Sequence, residues 1–326
     1  MDLRAPLPPQ HLKTNGVFDM STSRRSEHER TTRHLLSRMF ISSQLMELGS
    51  EARFTGLVLF HRYVRHFYGL VEEQRKKRKI DKTELEFTDE LKQIRQHLGQ
   101  VAAACSFLGC KMSEEPRRIR DVINLSSVLG FSDWDESMDI NRVYHWSEAI
   151  EVHESVSPPP LDEKYWTTKE EIVSTEQLVL RMLQFDALVC HPHRCVLIVM
   201  ETLGFGTGPK KNDQNDVDGN KCIDGTKEIT FLTPEQSDQV IMDAWRILNE
   251  ASLDATGGAL MYPVIVLACA AIAVAADGIT FHPSRPGEGD GRKPQVSLPQ
   301  DWWRALDVRT DEIEAAMISL RKIVES

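Results

Sequence analysis

The sequence lacks most of the features that decide a protein's class at a glance. Its N-terminus, MDLRAPLPPQHLKTNG, has no apolar run that would serve as a signal peptide. It has no excess of positive charge: 39 Lys and Arg stand against 49 Asp and Glu, a net charge of −10. Nucleic-acid affinity rests largely on neutralising phosphates, so this balance argues against a dedicated nucleic-acid binder. The six cysteines (Cys105, Cys110, Cys190, Cys195, Cys222 and Cys269) show no disulfide-framework spacing. Four of them lie in apolar, helix-like runs, which points to a reducing compartment, cytosol or nucleus. No alternating strand pattern competes with the helical ones. No Ser/His/Asp or paired-carboxylate arrangement is supported by spacing alone.

Several partial motifs fail on inspection. CHPHRC (190–195) holds two Cys and two His, but four ligands this close cannot readily wrap one zinc ion. DQNDVDGN (213–220) is shaped like a calcium loop. Registered on Asp216, Asp218 and Gly219, it puts Gln214 first and Gly225 twelfth, where an EF-hand needs Asp and Glu. Gly204, Gly206 and Gly208 fit neither a dinucleotide fingerprint nor a P-loop. No metal and no cofactor is expected.

What is present is helix. The 326 residues suit two domains, with 41% hydrophobic and 27% charged residues, as in globular proteins. Residues 1–30 read as a flexible N-terminal tail. From Thr31 a helical period runs through Leu36, Met39, Phe40 and Leu45, and Gly49 stops it. A second helix carries Phe54, Leu57, Val58, His61, Val64 and Phe67, with His61 read as a satisfied core histidine. After a charged stretch, Thr88 and Asp89 open a third helix through Leu91, Ile94, Leu98, Val101, Cys105 and Leu108. Pro116 suits the first position of a fourth. Thr168 and Glu171 form a capping-box pattern before a fifth, and Pro192 opens a sixth. Thr233-Pro234-Glu235-Gln236 is a further start: cap, Pro at the first position, and Gln closing the box.

The stretch ALMYPVIVLACAAIAVAADG (259–278) carries no charge before Asp277. It is barely long enough for a membrane span, contains Pro263, and is rich in alanine, with seven in 20 residues. Small side chains and an all-round apolar surface suit the centre of a bundle better. VAAACSFLGC (101–110) is its counterpart in the first half. The expected architecture is therefore all-α, about five helices, a break near 187–191, and about five more.

Two charged residues do not fit a plain bundle. Lys111 ends the apolar third helix, which suits the helix dipole or a snorkelling lysine. Glu176 lies four residues after Ile172 and three before Val179, on the apolar stripe of the fifth helix. Burying an unpaired carboxylate is costly, so Glu176 needs a partner. That partner is either an internal cation or a group on another protein.

Several stretches resemble the cyclin family in order along the chain. EQLVLRMLQFD (176–186) resembles the fifth helix of a cyclin box, and KMSEEPRRIRDVIN (111–124) the third-to-fourth helix junction of transcription-type cyclins. FHRYVRHFY (60–68) is similar to the end of their second helix, and HPHR (191–194) to the entry into their second box. Trp302-Trp303 resembles cyclins K and Q, and YWTTKEEI through HPHR is most similar to cyclin Q, with cyclins L and K next. The resemblance implies two tandem five-helix cyclin boxes, 31–189 with inserts at 73–88 and 131–164, and 190–326 with inserts at 205–232 and 281–299. It also implies a regulatory subunit of a cyclin-dependent protein kinase in a heterodimer, the kinase resembling cyclin-dependent kinase ten. No membrane, no direct nucleic-acid contact and no catalytic residue of the chain's own are expected. Lys111 and Glu176 match the family's kinase-contacting Lys and Glu, and Met112, Leu180 and Phe185 match apolar positions facing the same kinase helix. Ser113 departs from the family's Lys-hydrophobic-Glu-Glu run, while Glu114 keeps its second Glu. The location implied is nuclear, with the cytoplasm second. RKKRK (75–79) is a candidate localisation signal, and Trp302-Trp303 a cap on the second bundle. The rival reading keeps the fold and drops the kinase: a cyclin-fold scaffold or general transcription factor.

Overall fold

A computed structural model describes residues 22–78, 84–131, 160–204, 232–278, 298–299 and 301–325, with the side chains of 22–25, 75–78, 84–88, 234 and 278 set aside. Among the described residues there are helices and turns and no strand. The chain divides into two compact units, Met1–Cys190 with Ser252–Gly257, and His191–Ala251 with Gly258–Ser326.

The first unit contains α1 (Thr22–Leu45), α2 (Ser50–Arg78), α3 (Glu84–Met112), α4 (Ile119–Val128) and α5 (Glu163–Met182). Its centre is α3, which packs on α1, α2, α4 and α5. Val101, Ala102, Ala104, Cys105 and Cys110 of α3 have no exposed surface. Glycine sets the closest approach. A Cβ at Gly109 would lie 2.6 Å from the Ala52 carbonyl oxygen and 2.9 Å from the Gly56 nitrogen, so α2 and α3 touch backbone to backbone. Small residues permit that contact, as the alanine content suggests.

Five helix boundaries differ from those expected. Helix α1 begins at Thr22, so residues 22–30 belong to it rather than to the tail. Helices α2 and α3 reach Arg78 and Glu84, taking up most of the 73–88 insert. Glu, Gln, Lys and Arg are good helix formers, and a helix continues through them after its apolar stripe has ended. Helix α4 starts at Ile119, capped by an extended Arg118, so Pro116 lies in the preceding turn and not at the first helical position. Helix α5 starts five residues before Thr168. Asp162 caps it by accepting from the Tyr165 amide at 2.9 Å, and Thr168 Oγ1 donates to the Lys164 carbonyl inside the helix. Residues 79–83, 132–159, 205–231 and 279–297, within or beside the expected inserts, lie outside the described residues, as does the calcium-like loop.

The second unit contains α6 (Pro192–Thr202), α7 (Pro234–Leu253) up to Ala251, α8 (Val264–Gly278) and α9 (Thr310–Val324), with 3₁₀ turns at Ala259–Met261 and Trp302–Leu306; Ser252 and Leu253 at the end of α7 belong to the first unit. The capping box closes as its sequence requires: Gln236 Oε1 accepts from the Thr233 amide at 2.9 Å, and the Gln236 amide donates to Thr233 Oγ1 at 3.2 Å. Helix α8 is the core helix, with Ala268, Cys269, Ala270, Ala271 and Ile272 fully buried. No described helix is long and apolar enough to cross a membrane. Trp302 is buried against this core and Trp303 packs beside it, ring edge to ring face. His193 of CHPHRC sits 3.2 Å from Asn249 Oδ1 with its ring against Trp245.

Candidate functional site

The two anomalous charges of the sequence meet. Lys111 Nζ donates to Glu176 Oε1 at 2.6 Å, joining the last turn of α3 to α5. The Glu176 side chain is 9% exposed and the Lys111 side chain 46%. The ammonium also lies 4.1 Å from the Phe107 ring centroid, a cation–π contact. Of the two partners open to Glu176, the internal cation is present. The pair remains open to one side, because about half of the lysine side chain reaches solvent.

Apolar side chains border this pair. Met112, next to Lys111, is 46% exposed. Leu180, one turn beyond Glu176, is half-buried and packs on the core of the first unit. Phe185, just past the end of α5, is 70% exposed. Helix α5 also exposes Trp166, Val173 and Leu178.

Two connections frame the site, and both use left-handed backbone at residues other than glycine. The turn after α3 places Glu114 at φ +57°. It is tied to the α1–α2 turn by Glu115, whose Oε2 accepts from the Gly49 amide at 2.8 Å. Arg117 reinforces it by donating to the Met46 and Glu47 carbonyls at 2.9 and 3.1 Å. This gives the Glu-Pro-Arg part of KMSEEPRR a local function: it anchors the turn that follows Lys111. The turn after α5 is stranger, with Gln184 at φ +54° and Phe185 at φ +60° in succession. Each costs about 1 kcal/mol relative to glycine, and such strain persists only where neighbours hold it. The Phe185 amide donates to the Leu180 carbonyl at 2.7 Å, and Arg62 of α2 donates to the Asp186 and Leu188 carbonyls, each at 3.1 Å. Arg62, Glu115 and Arg117 escape a sequence reading because their acceptors or donors are backbone groups, which leave no mark in the side-chain pattern.

His61 lies on the buried face of α2, and its Nε2 donates to the Ser252 carbonyl at 2.8 Å within the first unit. Burial pushes its pKa down to about 4, the Ser252 bond partly opposing the shift. It is a satisfied core histidine. A Cβ on Gly257, itself at φ +58°, would stand 2.9 Å from His61 Nδ1, so glycine is required there. No group of His, Cys, Asp and Glu suited to a metal occurs among the described residues.

The first unit is thus an all-α bundle built round a buried alanine-rich helix, with an ion pair at that helix's end. No protein-family model matches the chain. Curated relatives do. The chain is 26% identical over 229 residues to the cyclin L homolog cyl-1 of Caenorhabditis elegans, covering 70% of this chain and 38% of that one. It is 26% identical over 243 residues to cyclin-L1 of Homo sapiens, covering 74% and 32%. A cyclin-L1-like protein of Schizosaccharomyces pombe is 24% identical over 229 residues, covering 70% and 65%. The matches thus span about a third of the first two relatives. They support a member of the cyclin family close to cyclin L. The resemblance of YWTTKEEI through HPHR to cyclin Q rests on those residues alone.

Proposed function

We propose that the chain is the regulatory subunit of a cyclin-dependent protein kinase acting in transcription, with no catalytic residue of its own. Similarity to cyclins L supports the class. The observation that carries the contact face is the buried Glu176 bonded to a half-exposed Lys111, with Met112 and Phe185 exposed beside it. In this reading Lys111, Met112, Glu176, Leu180 and Phe185 meet the αC region of the kinase. A kinase is active when its αC glutamate pairs with the strand-three lysine and its activation loop is ordered. A subunit that binds only that state draws the population towards it. Raising it from 1% to 99% requires about 5.5 kcal/mol of differential affinity. A kinase resembling cyclin-dependent kinase ten, as for cyclin Q, and a nuclear location belong to the same proposal. Imaging of the tagged chain checks the location.

The test is affinity purification of the tagged full chain from its own cells, with partners identified by mass spectrometry. Because Glu176 is buried and paired, Glu176→Lys alone confuses folding with binding. The double variant Lys111→Glu/Glu176→Lys restores the intrachain pair with reversed polarity. The expected result is a cyclin-dependent kinase with the wild type, and none with the double variant, although that variant melts within a few degrees of wild type. A folded wild-type chain that retains no kinase favours the scaffold or general-transcription-factor reading instead.

A further inference from the structure

Phe185 presents an unusual combination. It is a large aromatic side chain, 70% exposed, on a left-handed backbone that glycine would occupy at lower cost. Leu188, three residues on, is 71% exposed. Between them Ala187 is buried in the core, so the segment is anchored in the middle and turns its two apolar side chains outward. Local hydrogen bonds shape the turn, from the Asp186 amide to the Leu183 carbonyl and from the Ala187 amide to the Phe185 carbonyl. Two carbonyls, those of Asp186 and Leu188, accept from one nitrogen of Arg62. Arg62 stands on α2, beside His61 and Tyr63, both buried, so its origin is fixed by the core.

We infer that Arg62 is a positioning residue for partner binding: its guanidinium holds the 186–188 backbone so that Phe185 and Leu188 are presented in one arrangement. The inference rests on the proposed kinase contact at Phe185 and adds a residue that does not itself touch the partner. The physical gain is preorganisation. A loop already held in its bound shape loses less freedom on association than one that must be ordered by the partner. A lysine cannot replace this function fully: its ammonium also carries several donors on one nitrogen, but on a flexible stem that does not fix their directions.

The experiment measures affinity of the purified full chain for the kinase that co-purifies with the wild type, in a double-mutant cycle of Arg62→Met and Phe185→Ala. Arg62→Met keeps the stem and removes every donor. Alone, it is expected to weaken binding about tenfold, Arg62→Lys by less, and each to leave the melting temperature nearly unchanged. In the Phe185→Ala background Arg62→Met is expected to cost less than threefold, because its effect passes through the ring that is already gone. Amide exchange at residues 184–189 should accelerate in Arg62→Met without faster exchange in α3. Unchanged affinity in Arg62→Met, or full additivity with Phe185→Ala, overturns the inference while leaving the kinase reading intact. Should Arg62→Met fold poorly, Arg62→Lys in the same cycle decides the matter. Absence of any kinase from the wild-type sample sinks the reading beneath it, and this role with it.

Discussion

The central helices of the two units, α3 and α8, share a packing solution and end differently. Both are alanine-rich and buried on all sides through their middle turns. Both end in a charge paired with a later helix: Lys111 with Glu176 of α5, and Asp277 with Arg321 of α9. The order of charge is reversed. A lysine at a helix C-terminus is favoured by the helix dipole, and an aspartate there is not. Burial differs too. Glu176 is 9% exposed, whereas the Asp277 and Arg321 side chains are 61% and 45% exposed. The first pair therefore joins a desolvated anion to a cation that solvent can reach. The second is a solvated surface pair. One solution to filling a core yields a candidate recognition site in one unit and an ordinary surface in the other, and the difference lies in the last turn of the helix.

Gly109→Ala should have the largest effect, destabilising the first unit by about 3 kcal/mol, since its Cβ meets backbone atoms that cannot move aside. Thermal melting checks it. A loss below about 1 kcal/mol would mean that the α2–α3 contact can spread.

Acid is next. Burial holds His61 at a pKa of about 4 and, helped by Arg38 and Arg95, His34 at about 3. The folded state binds these protons less readily than the unfolded chain. The stability they contribute is therefore complete above about pH 6.5 and declines as pH falls towards the folded values. For His61 alone the loss at pH 4.5 is about 2–3 kcal/mol. Amide exchange in α2 and α3 is expected to accelerate over this range. His61→Gln should flatten its own share of the pH dependence.

The smallest effects separate the two pairs most directly. Lys111→Ala leaves a buried carboxylate without its cation and should cost about 1–2 kcal/mol. Arg321→Ala removes half of an exposed pair and should change stability by no more than about 0.5 kcal/mol. Equal losses in chemical denaturation would mean that the two pairs do not differ in burial cost.

Much of this was legible in the residues. The all-α class, the burial of 266–276 and the Thr233–Gln236 box follow from local patterns, and the structure carries each of them. Lys111 and Glu176 stand out because each breaks the pattern around it. Their mutual bond was not legible, because 65 residues separate them and no periodicity spans that distance. The start of α5 was misplaced because Thr168 and Asp162 both satisfy local capping rules, and only tertiary packing chooses between them. Arg62 gave no sign, since its acceptors are main-chain carbonyls.

The backbone contact at Gly109 has one further meaning. It lies two residues before Lys111, less than one helical turn. A helix pinned so close to its C-terminal end has a datum from which that end is measured. Length gained or lost ahead of Glu84 need not disturb the lysine, whereas one residue more between Gly109 and Lys111 would swing it about 100° around the axis and away from Glu176. The chain can therefore vary greatly in its connections while holding one ammonium group in register, and divergence in the inserts is compatible with constancy at the site.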